Sequence, residues 1–144
     1  MKAFFVTLGA IVAGIVVAML LLVAVEFYST LVHPLPEGFG NTQEEMCQHV
    51  ENYPGWVLAT VVPLWGLIAY ACTWTARRLG NRISALITGN LFLLAIAANL
   101  AMLPYPTWFR IAMLVMAPLA VVMAGKLIVP KPGPTISAGQ SPKR

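Results

Sequence analysis

Glu26 is the one acidic residue set inside a long apolar stretch of this chain. A carboxylate within a membrane-length segment is costly to keep and is ordinarily paired or functional. Helix counting puts it near one end of its segment, where Asn99 and Arg110 from two later segments reach a similar depth. With Tyr28, His33 and Trp108 nearby, these residues form a candidate buried polar cluster. Two chemistries fit such a set. One is structural, a paired carboxylate that fixes helix orientation; the other is a site that binds or moves a proton, a cation or an amphiphile. The sequence predicts that Glu26 lies within the bundle with Asn99 or Arg110 as its partner, because an unpaired carboxylate there is expensive.

A second group, His33, Glu44, Glu45, Cys47, His49 and Glu51, offers metal-ligand types within a short loop. Cys47-x-His49 sends its two side chains to different sides of a helix, and no second close pair accompanies it, whereas zinc sites normally show two. No metal is expected. Phosphate-binding glycine loops, Gly-x-Ser-x-Gly, Cys-x-x-Cys and His-Glu-x-x-His are all absent. With no acid, base and nucleophile assembled, neither enzymatic activity nor a cofactor is expected. Cys47 lies in the outer acidic loop and Cys72 near the inner end of the second long segment, too far apart to bridge.

The elements that must position these residues are four apolar runs, about 3–32, 56–76, 83–103 and 108–129. Each reaches the roughly 20 residues that a helix needs to cross a bilayer core. Unpaired backbone is too costly in lipid for anything but helices or closed barrels, and strand-like alternation is absent. The fold class is therefore all-α, a bundle of four transmembrane helices forming one domain over 1–129. Hydrophobic residues make up 59% of the chain and charged residues 10%, with a mean hydropathy of +0.80. So few charges could not cover a water-facing surface.

Charge placement gives the expected topology. Lys2, Arg77, Arg78, Arg82, Lys126, Lys131, Lys143 and Arg144 fall at one set of helix ends, while Glu37, Glu44, Glu45 and Glu51 fall in the opposite loop. By the positive-inside rule both termini are cytoplasmic, and loops 33–55 and 104–109 are external. This accounts for the net charge of +4 without nucleic acid as a partner. Within the first outer loop, Thr42-x-x-Glu45 reads as a capping box opening a short amphipathic helix. Ala10, Gly14 and Ala18 form a small-residue ridge on the first segment, suited to packing within the chain or against another subunit. The third segment carries small or polar residues on both sides, including Asn90 and Asn99, and is expected at the centre of the bundle. Residues 130–144 lack apolar periodicity and read as a disordered cytoplasmic tail.

Glu26-Phe27-Tyr28-Ser29 followed by His33-Pro34-Leu35-Pro36-Glu37-Gly38, and Asn99-Leu100 followed by Pro104-Tyr105-Pro106-Thr107-Trp108-Phe109, resemble an uncharacterised family of small bacterial four-helix membrane proteins. The resemblance implies a multi-pass protein of the bacterial inner membrane and no particular activity. The function expected first is a non-enzymatic accessory or scaffolding subunit, packed in lipid against a larger membrane assembly or another copy of itself. The second is a small binder or translocator using Glu26 with Asn99 and Arg110.

Overall fold

The computed structural model describes residues 2–126, so the expected tail and the last residues of the fourth run lie outside the described residues. Five helices follow in order: α1 (Lys2–Val32), α2 (Gln43–Glu51), α3 (Gly55–Leu79), α4 (Arg82–Met102) and α5 (Thr107–Lys126). All but α2 are long and apolar enough to cross a membrane. Their ends have local causes. Pro34 and Pro36 follow α1, where a ring on the backbone nitrogen cannot continue a helix. At the start of α4, Asn81 Oδ1 accepts from the Ile83 and Ser84 amides at 2.8 and 3.1 Å, and Ser84 Oγ accepts from the Asn81 amide at 2.8 Å. Free N–H groups are thereby satisfied in the turn itself. Pro63 and Pro118 lie inside α3 and α5 without ending them.

The helix expected at the centre is not the central one. α3, the second long helix, packs on α1, α4 and α5, whereas α1 and α5 do not meet among the described residues. α3 buries residues on two faces, including Val57, Leu58, Val61, Ile68, Cys72 and Thr73. α4 buries a single stripe, Ser84, Ala85, Thr88, Gly89, Phe92, Ile96 and Leu100, and leaves Asn90, Ala95, Ala97, Ala98 and Ala101 exposed. The reason is physical. Lipid tails are as apolar as any side chain, so a small residue facing lipid is not penalised and small-residue content does not mark the buried faces.

Glycines and small polar residues close the bundle at the Arg77–Arg82 end. A Cβ on Gly14 would stand 2.9 Å from the Cys72 carbonyl oxygen and 2.9 Å from Thr88 Cγ2, so α1 lies against the backbone of α3 there and takes the Thr88 side chain of α4. Ala10 and Ser84 fill the space beside Gly80 in the same way. On the other side, a Cβ on Gly89 would reach Val121 Cγ1 at 2.6 Å, bringing α4 onto α5. Asn81 Nδ2 donates to Thr7 Oγ1 at 2.8 Å and ties the start of α4 to α1. The ridge Ala10, Gly14 and Ala18 is thus buried within the chain.

Replacing Gly14 with leucine should destabilise the bundle by about 1–3 kcal/mol, the usual cost of overpacking a tight contact. Gly9 is exposed, and a Cβ placed on it would meet no atom within 4 Å, so Gly9→Leu should be near neutral. Reversible unfolding of both variants in mixed micelles measures the difference.

Candidate functional site

The helices part at the end carrying α2. Thr7 bonds to Asn81 and Gly14 abuts Thr88, a constant offset of 74 residues between α1 and α4. Continued upward, that register sets Glu26 level with Asn99 and Leu100. There the two helices stand apart around a groove of about 530 Å³, lined by Glu26, Ser29 and His33 of the α1 side and Asn99, Met102 and Leu103 of the α4 side. A narrower crevice of about 50 Å³ continues inward from Glu26 and Asn99 to Leu58, Ile96, Phe109 and Met113. Tyr53, Trp65 and Tyr105 line both.

α2 roofs the groove. It presents Gln43, Met46, His49 and Val50, a helical spacing that gathers them on one face. Gln43 Nε2 donates to the Met102 carbonyl at 3.1 Å, satisfying a free acceptor at the end of α4. At its other end the buried His49 ring stacks on His33, with centroids 4.5 Å apart and planes 21° apart, and Tyr53 packs on both rings. His33 Nε2 is buried without a hydrogen-bond partner. The helix is started by Thr42, whose Oγ1 accepts from the Glu45 amide, while Glu45 Oε2 accepts from the Thr42 amide at 3.1 Å and the Gly40 amide at 3.0 Å.

The structure therefore brings Glu26, His33 and Asn99 into one groove and leaves Tyr28, Trp108 and Arg110 outside its lining. The expected pairing of Glu26 is not made among the described residues. Arg110 belongs to α5, which does not touch α1, and its guanidinium donates to the Leu103 carbonyl at 3.0 Å. That placement serves the negative end of α4. Glu26 itself is exposed to the groove, and its carboxylate accepts no hydrogen bond among the described residues, while Thr30 Oγ1 donates to its backbone carbonyl at 2.7 Å. Tyr28 turns to the far side of the α1–α3 seam and meets Thr60 Oγ1 at 3.1 Å. Thr60 gives its proton to the Val57 carbonyl, so Tyr28 is the donor. Trp108 is 46% exposed.

The residues missed from the sequence are Tyr53, Trp65 and Tyr105, while His49 stands out there only as a metal-ligand type. Aromatic residues near the ends of spanning helices are common simply because their rings favour the membrane boundary, so their types alone carried no signal. Electrostatically they leave Glu26 as the dominant charge. Burial, then Tyr53 and the Glu26 charge, push the Tyr105 phenol up to about 12. Burial also raises Tyr53, against a smaller pull from the Ser29 hydroxyl. Burial and the facing His33 lower His49, favouring its neutral form. Among the described residues no group of three or more His, Cys, Asp or Glu side chains could hold a metal ion. No family model, no curated protein and no solved structure matches this chain.

The roof should loosen in acid, in two stages. His49 titrates lower in the folded chain than its ordinary 6.5, so the unfolded form binds the extra proton first and docking weakens as pH falls below that value. Glu45, held below its ordinary 4.5 by the Thr42 amide and hydroxyl, adds stability above that pH and loses it below. Amide exchange over residues 43–51, corrected for intrinsic rates, should therefore quicken as pH is lowered through those two ordinary values in turn. His49→Phe keeps the ring and should remove the first stage only.

Proposed function

We infer that this chain is a small membrane-embedded binding protein that holds a positively charged ligand against Glu26, in the groove between α1 and α4. The reading is carried by one observation: the Glu26 carboxylate lines an accessible groove, and Arg110, the cation expected to meet it, is engaged elsewhere. Charge placed at such a depth is expensive unless a partner compensates it, and no partner comes from the described residues. Tyr53 and Tyr105 remain protonated phenols and add dipoles, not charge.

The orientation follows the charges. Lys2, Arg77, Arg78, Arg82 and Lys126 lie at one end and face the cytoplasm, while Glu37, Glu44, Glu45 and Glu51 belong to the segment carrying α2 at the other end. That end is therefore acidic outside the groove lining and favours the approach of cations over anions. In a bacterial cell the groove then opens at the periplasmic face of the inner membrane. The accessory-subunit reading drew on the ridge Ala10, Gly14 and Ala18; those residues are buried in contacts inside the chain, so they no longer point to a partner.

Titration of the purified protein with a panel of inorganic and organic cations, followed by calorimetry, tests the reading. At least one should bind with unit stoichiometry and weaken by about tenfold or more in Glu26→Gln, equivalent to about 1.4 kcal/mol. The unfolding midpoint should stay unchanged. Binding that is indifferent to Glu26→Gln, or loss of the fold in that variant, would assign the carboxylate a structural role instead.

A further inference from the structure

Resting on the reading of Glu26 as a cation site, the groove also indicates what kind of cation it takes. We propose that the ligand is an amphiphilic organic ammonium, a head bearing alkyl groups on nitrogen with an apolar chain, whose head sits between Glu26 and the rings of Tyr53, Trp65 and Tyr105. A bare metal ion is a poor match. Calcium takes six to eight oxygen ligands and magnesium demands an octahedron, whereas the groove offers one carboxylate with Asn99 and scattered hydroxyls. An alkylated ammonium asks for something different. It spreads its charge over carbon, gives up water easily, and is held by a carboxylate together with the negative faces of aromatic rings.

Size and polarity agree. The groove of about 530 Å³ falls in the range that encloses small organic ligands, and its lining is more apolar than polar. Beyond Glu26, Ser29 and Asn99 the crevice walls are mainly apolar, with Leu58, Val61, Ile96, Leu100, Phe109 and Met113. Leu35 and Met102, 43% and 63% exposed, stand at the mouth. An apolar chain can thus enter from the side, between α1 and α4, while the head stays under α2. His33 and His49 also line the groove, stacked on one another, and burial with the facing His33 favours the neutral form of His49.

Octyltrimethylammonium, octanol, octyl sulfate, sodium, potassium and calcium, each titrated into the full chain in discs of phosphatidylglycerol, separate the possibilities. The ammonium should bind, octanol and octyl sulfate at least about tenfold more weakly, and the metal ions without saturation. Tyr53→Leu should weaken the ammonium severalfold and Tyr53→Phe should preserve it, since the ring and not the hydroxyl is at work. Adding phosphatidylcholine, whose headgroup carries the same trimethylammonium, to the discs distinguishes two sources of this chemistry: competition with the probe identifies a lipid headgroup as the resident, and its absence a free alkylated ammonium. Saturable, Glu26-dependent binding of a metal ion with no response to the ammonium would overturn this proposal while leaving the cation site standing. No response to any cation would overturn both.

Discussion

The close approach of α1 to the backbone of α3 at Gly14, with the Thr88 side chain of α4 against it, is the contact on which the rest of the structure depends. Hydrocarbon exerts no hydrophobic force between helices, so a membrane bundle is held by packing at short range. Here that packing is concentrated at the Arg77–Arg82 end, where Gly14 lies on Cys72 and Thr88 and Ala10 fits beside Gly80. With α3 as the shared wall and α1 and α4 pinned together at that end, the opposite end is free to stand open. The groove is the consequence, and α2 spans it from His33 on the α1 side to Met102 at the end of α4.

An open end would be a liability for an apolar bundle, but its lining turns it into a selective space. One carboxylate, Glu26, shares it with amides, hydroxyls, two stacked imidazoles, two phenols held in their protonated state and apolar walls. A charge at this depth is tolerable when something of opposite sign lies against it, and Arg110, the expected candidate, is turned away by helix order. Arg110 rides on α5, separated from α1 by α3, and caps α4. The depth of Glu26 therefore leaves a negative charge that a ligand from outside the chain can balance.

The four spanning helices were legible in the sequence because lipid imposes a simple length and polarity rule. Glu26 and Asn99 were legible as neighbours for a related reason: helix counting fixes depth. Depth says nothing about azimuth, and that is where the reading of Arg110 failed; it has the right height on the wrong helix. The hub was misassigned to the helix of residues 82–102 because alanines such as Ala95, Ala97 and Ala98 face outward at no cost. Tyr53, Trp65 and Tyr105 could not be told from ordinary boundary aromatics until the tertiary arrangement drew them around one carboxylate.

Glu26 has no cationic partner among the described residues, and we propose that it meets one from outside. Carbon–nitrogen dipolar recoupling in bilayers reads this directly, with the Glu26 carboxyl carbon labelled and nitrogen labelled in turn in the Arg110 guanidinium and in the head of octyltrimethylammonium. The account predicts no short-range coupling to Arg110 and clear coupling to the ammonium nitrogen, lost on competition by unlabelled ligand. Coupling of Glu26 to Arg110, undisturbed by the ammonium, would contradict it and make the carboxylate a strut of the bundle.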